Sequence, residues 1–104
     1  METRAAFIMK LKPGCEEEYT RRHNAIWPEL KELLSRSVYD YTIFLQRETL
    51  TLFGVQKLKG DGGSQDLGTE PIVQKWWDYM ADLMDVNPDN SPVSIPLVEV
   101  FHMD

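Results

Sequence analysis

The sequence has few of the features that mark secreted or membrane proteins. Cys15 is the single cysteine among 104 residues, so the chain cannot form an internal disulfide. No apolar run approaches the ~20 residues that are needed to span a bilayer. The N-terminus lacks the basic start, apolar stretch and cleavage site of a secretory signal. These absences predict a cytoplasmic protein that has no membrane partner.

Basic residues are also in short supply. The chain has 11 Lys and Arg residues against 17 Asp and Glu residues, which gives a net charge of -6 at pH 7. A protein of this sign repels the phosphate groups of nucleic acids and of anionic lipids. We therefore expect neither nucleic acid nor a membrane surface as a partner.

Motifs that bind metals, cofactors or phosphates are missing as well. The two histidines, His23 and His102, lack the spacing that a metal site needs. The glycine-rich stretch 59–68 lacks the Gly-Lys-Ser/Thr ending of a phosphate-binding loop, so we interpret it as an ordinary loop. No serine or cysteine has the sequence context of a nucleophile. The sequence thus predicts no metal and no cofactor.

What the sequence does have is the composition of a globular protein. Apolar residues make up 42% of the chain and charged residues 27%, and the length suits a single domain over residues 1–104. Alternation of apolar and polar residues predicts strands, and helical spacing of apolar residues predicts helices. The predicted strands are residues 4–12, 41–46, 50–58 and 97–103, and the predicted helices are residues 16–25, 28–34 and 70–84.

A proline interrupts the first helical stretch. Pro28 has no N–H, its ring clashes with the carbonyl four residues earlier, and it disfavours helical backbone at Trp27. We therefore predict a bend at residues 26–27 and a second helix that begins at Pro28. Tyr19 and His23 are four residues apart and share one face of the first helix. With Asn24 beside them, this bend is suited to a polar pocket, although a lone helical histidine is more often structural.

The predicted order of elements is strand, helix, strand, strand, helix, strand. This order is typical of the α+β, ferredoxin-like βαββαβ fold, in which helices cover one face of a four-stranded antiparallel sheet. The strands carry apolar residues on both sides, as Phe7 and Ile8 illustrate. A large exposed apolar face is rare on a monomer. We therefore expect a homodimer of the dimeric α/β-barrel type, in which two sheets face each other.

Aromatic residues with polar edges are the main candidates for a binding site. Flat apolar rings with N–H or O–H groups suit the faces of a sugar or of another partly polar small molecule. Each of these side chains is also compatible with simple core packing. The candidates, grouped around the imidazole of His23, are Tyr19, Tyr41, Trp76 and Trp77.

Three separate motifs resemble one known family. YTRRHNAIWPEL at residues 19–30, QKWWDYM at 74–80 and NPDNSPVS at 87–94 are similar to the motifs of the L-rhamnose mutarotase family. YTIFL at residues 41–45 and EVF at 99–101 also fit, so the resemblance covers nearly the whole chain. It implies a homodimeric, cofactor-free isomerase of bacterial sugar catabolism that interconverts the α and β anomers of L-rhamnose. It also implies that His23 is the proton donor and that Tyr19, Tyr41, Trp76 and Trp77 contact the sugar.

Several questions stay open at this point. The C-terminus of the helix favours a charged His23, whereas burial favours the neutral form. The general base could be a tyrosine, a backbone group or a water molecule, and Asn24 and residues 87–90 are further candidates for sugar contacts. The alternatives to an enzyme are a module that binds a sugar or haem without catalysis and an interaction domain that has no ligand.

Overall fold

The computed structural model describes residues 3–104, which form a four-stranded sheet and three α-helices. A short 3₁₀ turn, Ser64–Asp66, lies in the glycine-rich loop. No helix of this part of the chain is long and apolar enough to cross a membrane. The elements in chain order are β1 (Thr3–Lys10), α1 (Glu16–Asn24), α2 (Pro28–Ser35), β2 (Val38–Gln46), β3 (Thr51–Leu58), α3 (Pro71–Met80) and β4 (Ile95–Leu97).

The sheet confirms the predicted fold class. All neighbouring strands are antiparallel, and their order across the sheet is β2-β3-β1-β4. This order and the alternation of strands and helices are those of the ferredoxin-like α+β arrangement. The two helices predicted on either side of the bend are present as α1 and α2.

The bend between α1 and α2 has the predicted cause. Trp27 has extended backbone, with φ -61° and ψ 130°, and Pro28 is the first residue of α2. The last turn of α1 closes with two bonds, from the Ala25 N–H to the Arg21 carbonyl and from the Ile26 N–H to the His23 carbonyl.

The core lies between the sheet and the helices. From β1 it takes Phe7 and Met9, which are 6% and 3% exposed, and from β3 it takes Leu52, which is 1% exposed. The ring of Phe7 lies directly over Gly54, where a Cβ would come within 2.6 Å of Phe7 Cζ. The absence of a side chain at Gly54 therefore makes room for the Phe7 ring.

A bulge near the start of β2 corrects the predicted boundary of that strand. Residues 38–40 were expected in the connection, but β2 begins at Val38 and pairs Tyr39 with Lys57. The next recorded pair is Thr42 with Val55, so Asp40 and Tyr41 together stand opposite one residue of β3. Asp40 has φ 49°, a left-handed conformation that aspartate tolerates better than most residues. The extra residue turns Tyr41 towards the core, as bulges often do for functional side chains.

The predicted fourth strand is wrong over most of its length. Residues 97–103 were expected to form it, but β4 is Ile95–Leu97 and pairs only with Ala6–Ile8 of β1. Residues 98–104 lie exposed without regular secondary structure, although Arg4 holds them near β1 through bonds to His102. Continued pairing would reach Thr3 after three more residues, so β1 offers no described backbone to residues 101–103. Alternation of apolar and polar residues at 97–103 is typical of a strand with one buried face, but the apolar side chains at 98–103 are exposed in the part of the chain that the structure describes.

The outer face of the sheet carries a continuous apolar row. Phe44 stands opposite Phe53, Phe53 opposite Ile8, and Ile8 opposite Ile95, so the row crosses all four strands. Phe44 is 60% exposed and Ile95 is 54% exposed. Since the three helices lie on the other side, no helix of the described chain covers this row.

Candidate active site

A cavity of about 570 Å³ opens between the helices and the inner face of the sheet. Its size falls in the range that is usual for small-molecule sites, and its walls are mainly apolar with a few polar groups. Helices α1 and α3, strand β2 and the glycine-rich loop each contribute to the lining. All five residues that the sequence singled out line this cavity: Tyr19, His23, Tyr41, Trp76 and Trp77.

His23 contacts two aromatic rings. It lies one turn after Tyr19 on α1, and its ring stacks on the Tyr19 ring with centroids 4.3 Å apart. The Trp76 ring, on α3, lies nearly perpendicular to the imidazole, with centroids 5.4 Å apart and an angle of 85° between the planes. The imidazole orientation is therefore set by packing from two separate helices.

A backbone hydrogen bond fixes the tautomer of His23. Its Nδ1 lies 3.1 Å from the carbonyl oxygen of Tyr19. A carbonyl oxygen can only accept, so Nδ1 carries the proton and donates it. In the neutral imidazole the lone pair is then on Nε2, which has no hydrogen-bond partner among residues 3–104. The free nitrogen is thus the one that a ligand in the cavity can meet.

Burial decides the charge of His23. Loss of solvent around the imidazole lowers its pKa, and this effect outweighs the bond to the Tyr19 carbonyl, which raises it. Of the two opposing influences that the sequence left open, desolvation is the larger. At neutral pH His23 is therefore the neutral imidazole with a basic Nε2.

The two tyrosines of the cavity have the opposite shift. Burial raises the pKa of Tyr19 far above its usual value, and it raises the pKa of Tyr41 as well, an effect that the nearby Ser64 side chain opposes in part. Both side chains are therefore neutral phenols at physiological pH. A phenol in this state donates a hydrogen bond readily and is a poor base, which argues against a tyrosine as the general base.

The tryptophans come from the predicted apolar stripe of α3. Trp76 and Trp77 are 8% and 7% exposed and also belong to the core. Trp76 meets Trp27 edge-on, with centroids 5.0 Å apart, so the bend before Pro28 buttresses it. Trp77 lies against the glycine-rich loop, where a Cβ on Gly68 would come within 2.8 Å of its ring. Both indoles thus combine packing with a wall of the cavity.

Arg22 fixes the distance between α1 and α3. Its side chain is 11% exposed and donates to Glu18 (2.6 Å), to the Tyr79 carbonyl (2.6 Å) and to Asp82 (2.9 Å). The guanidinium also lies 4.3 Å from the centroid of the Tyr79 ring. Because His23 is the next residue on α1, this cluster holds the imidazole at its contact with Trp76.

Comparison with known proteins identifies the family. A family model described as L-rhamnose mutarotase matches residues 4–103. The chain belongs to the L-rhamnose mutarotase family. The L-rhamnose mutarotase of Bacteroides thetaiotaomicron is 70% identical over 102 residues, which cover 97% of this chain and 98% of that protein. The one from Phocaeicola vulgatus is 67% identical over the same shares of both chains.

A solved structure agrees with the sequence comparison. The crystal structure of the L-rhamnose mutarotase of Formosa agariphila superposes with a TM-score of 0.91 at 55% identity, and covers 98% of this chain and 99% of that one. A mutarotase is an isomerase that interconverts sugar anomers, so the predicted family and enzyme class are confirmed. Membership of this family does not favour the alternative of a binding module without catalysis.

The structure adds residues to the candidate site of this mutarotase-family chain and leaves others out. Asn24 lines the cavity as the sequence suggested, whereas residues 87–90 do not. Ser64 and Gln65 line it too, although the glycine-rich loop was interpreted as an ordinary loop. One signal could have found them, namely Gln56, a polar residue at a core-facing position of an otherwise apolar strand. Among residues 3–104, no three potential metal-binding side chains converge.

Proposed function

We propose that this protein interconverts the α and β anomers of L-rhamnose by acid–base ring opening and closing, without a cofactor. His23 is the catalytic residue, and Tyr19, Tyr41, Trp76 and Trp77 bind the sugar. The observation that carries the proposal is the free Nε2 of a neutral, tautomer-fixed imidazole in a cavity lined by all four aromatic residues. The names of the mutarotase relatives supply the substrate.

A single imidazole is sufficient for the proton transfers. In the closed sugar, the anomeric hydroxyl oxygen and the ring oxygen are bonded to the same carbon, C1. Nε2 takes the hydroxyl proton as the bond between C1 and the ring oxygen breaks, and the imidazolium then gives that proton to the ring oxygen. The open aldehyde rotates about its C1–C2 bond and recloses by the reverse steps. His23 is thus base and proton donor in turn, which contributes roughly 10²–10⁴ in rate.

The aromatic residues hold the sugar and exclude water from it. Trp76 and Trp77 offer apolar ring surface to the C–H faces of a deoxysugar, and the neutral phenols of Tyr19 and Tyr41 offer hydrogen-bond donors to its oxygens. The partly apolar cavity suits a sugar that carries a methyl group. Exclusion of water also keeps the pKa of His23 low, so the imidazole stays basic at neutral pH.

We further propose a cytoplasmic homodimer built from one mutarotase domain, residues 1–104, per chain. The apolar row Phe44–Phe53–Ile8–Ile95 and the exposed apolar side chains of the C-terminal segment supply the surface that a second copy would bury; the latter are Val98, Val100, Phe101 and Met103. The single cysteine suits a reducing compartment. The net charge of -6 leaves nucleic acid and anionic membranes as disfavoured partners.

Saturation-transfer NMR on equilibrated L-rhamnose tests the activity. Irradiation of the H1 resonance of one anomer should lower the signal of the other only when the protein is present. In His23→Ala the enzyme-dependent exchange rate should fall by a factor of about 10²–10⁴, and the fold should be unchanged. The matched control is His102→Ala, since His102 is bound to Arg4 and Asp104 outside the cavity and should exchange at the parental rate. No exchange above the uncatalysed rate with the parental protein would refute the proposal.

A further inference from the structure

Two aromatic side chains outside the cavity have no part in the proton transfers proposed for His23. Trp27 lies at the bend between α1 and α2, and Tyr79 lies near the end of α3. Neither side chain lines the cavity, and Tyr79 is 38% exposed. Their rings stack, with centroids 5.6 Å apart and an angle of 28° between the planes. Aromatic pairs in this geometry attract each other beyond the burial of their area, so the two rings form one ordered surface.

Both rings contact Trp76, which does line the cavity. The Trp27 ring lies nearly perpendicular to the Trp76 indole, with centroids 5.0 Å apart and an angle of 86° between the planes. The Tyr79 ring lies 5.7 Å from the same indole at an angle of 57°. Since the indole also lies 5.4 Å from the His23 imidazole, Trp76 connects the ring pair outside the cavity to the proposed catalytic group.

Packing, and not a hydrogen bond, sets the orientation of the Trp76 ring. Within residues 3–104 the indole N–H has no hydrogen-bond partner, and its nitrogen is not sealed from solvent. Part of the ring borders the cavity, where it has no protein atoms to pack against. Its contacts with Trp27 and Tyr79 therefore oppose rotation of the indole into the cavity.

The ring pair is itself anchored, by the backbone at Trp27 and by a cation at Tyr79. Pro28 restricts Trp27 to extended backbone, with φ -61° and ψ 130°, and the Trp27 carbonyl accepts from the Lys31 N–H at 3.0 Å. The Arg22 guanidinium lies 4.3 Å from the centroid of the Tyr79 ring and donates to the Tyr79 carbonyl at 2.6 Å. The stack is thus fixed at the start of α2 and at the contact between α1 and α3.

We propose that Trp27 and Tyr79 are positioning residues, which hold the Trp76 indole against His23 and thereby keep its Nε2 at one place in the cavity. The inference rests on the proposed function and deepens it, since it names what sets the place of the proton-transfer group. Nε2 must come within hydrogen-bond reach of two sugar oxygens in turn, and a displacement of about 1 Å can slow a reaction ~100-fold. The bend before Pro28 thus serves the site through the ring that it presents to Trp76.

Leucine variants test the role of the two rings, because they remove the ring and keep an apolar side chain. In Trp27→Leu and in Tyr79→Leu the exchange rate at saturating sugar should fall ~10-fold, since Trp76 and the imidazole lose their fixed position. Trp27→Phe and Tyr79→Phe keep a ring in the stack and should restore most of the rate. KM should change less than the rate, because neither Trp27 nor Tyr79 lines the cavity.

The two histidines allow the ring position to be measured directly, without sugar. The imidazole C–H resonances in an NMR spectrum come from His23 and His102, and the His102→Ala spectrum assigns them. An aromatic ring current shifts nearby protons, so movement of Trp76 should move the His23 resonances in both leucine variants and leave them near their parental positions in the phenylalanine variants. The matched control is Lys75→Leu, which places the same side chain at an exposed position of α3 next to Trp76 and should keep the parental resonances and rate.

The outcomes separate the positioning role from the proposed function. Unchanged His23 resonances in both leucine variants overturn the role, and so do shifted resonances with parental rates or an equal shift in Lys75→Leu. Tyr79 is the more exposed of the two residues, so Tyr79→Leu decides the question if Trp27→Leu does not fold. If the parental protein has no exchange activity, the proposed function fails, and the His23 resonances still decide whether the stack sets the position of Trp76.

Discussion

The two faces of the sheet differ in what the chain itself provides for them. On the inner face, Met9 and Leu52 are 3% and 1% exposed beneath three helices. On the outer face, Phe44 and Ile95 keep more than half of their surface exposed, although the row they belong to is equally apolar. The titratable and aromatic groups of the site, by contrast, all lie on the inner side.

Both faces are apolar, so hydrophobicity alone does not determine which face the helices of the same chain cover. The inner face is completed by α1, α2 and α3, and its remaining space is the cavity that holds His23. The outer face offers an exposed apolar row, which suits contact with another flat apolar surface. Substitutions on each face separate the two by experiment.

Leu52 and Phe53 are adjacent in β3 and point to opposite faces. Leu52→Ala should lower the free energy of unfolding by about 2–5 kcal/mol, because it leaves a cavity in the core. Phe53 is 37% exposed, so Phe53→Ala should lower the free energy of unfolding of an isolated chain by much less. Urea unfolding at several protein concentrations checks this, since only the Phe53→Ala effect should grow with concentration. Equal losses at all concentrations would contradict the difference between the faces.

Phe44→Asp should break the proposed homodimer. A carboxylate at a position that is 60% exposed in the single chain costs little there, but burial of that charge between two sheets is unfavourable. Sedimentation velocity should show a shift from dimer to monomer with unchanged far-ultraviolet circular dichroism. Glu48→Ala, in the β2–β3 turn, is the control and should sediment as the parental protein does. If Phe44→Asp also sediments as the parental protein does, the outer face of the sheet is not the interface.

Arg22 and Arg21 are adjacent on α1 and test which contacts hold α1 against α3. Both donate to Glu18, but only Arg22 also reaches the Tyr79 carbonyl and Asp82 on the α3 side. Arg22→Met should cost about 1 kcal/mol of stability and slow anomer exchange, because α1 is no longer tied to α3. Arg21, whose side chain is 63% exposed, should change neither quantity when it is replaced by Met. Thermal unfolding and the NMR exchange assay measure both variants.

The smallest effect concerns pH and the inner face only. The folded-state pKa of His23 lies below the unfolded value of 6.5, so between the two the unfolded chain binds a proton that the native chain does not. The contribution of His23 to stability should therefore fall as pH drops below 6.5 and level off beneath the folded-state pKa. The exchange rate should fall only as pH drops through the folded-state pKa, where Nε2 of the native chain becomes protonated.

Urea unfolding between acid and neutral pH tests this behaviour of His23. In His23→Gln the pH slope should be reduced, because the residue that titrates differently in the two states has been removed. His102→Gln is the matched control, because it removes an imidazole that lies outside the cavity. A parental slope in His23→Gln would show that other groups cause the acid sensitivity.

Local chemistry made much of this structure predictable. Pro28 interrupts the helix through its ring and its missing N–H, and a spacing of four residues places Tyr19 and His23 on one helix face. Both predictions were therefore correct from sequence. The grouping of the five candidate residues followed from the resemblance as well as from their chemistry, and their roles stay predictions.

Features that depend on non-local contacts were not predictable in this way. The bulge at Asp40 depends on the register between β2 and β3, and nothing in the residues themselves announces an extra residue there. Ser64 joins the site only because Gln56, eight residues earlier, meets it across the loop. The fourth strand was placed too late because alternation in residues 97–103 records apolar surface but not which chain covers it.

The bond from His23 Nδ1 to the Tyr19 carbonyl has a consequence for engineering. The acceptor belongs to the main chain, so any amino acid at position 19 presents the same oxygen to the imidazole. The Tyr19 ring also packs on the imidazole, so a substitution that keeps an aromatic ring preserves both the tautomer and the orientation of His23. Tyr19→Phe should thus change only what the phenol oxygen offers to a sugar, while the proton-transfer group stays in place.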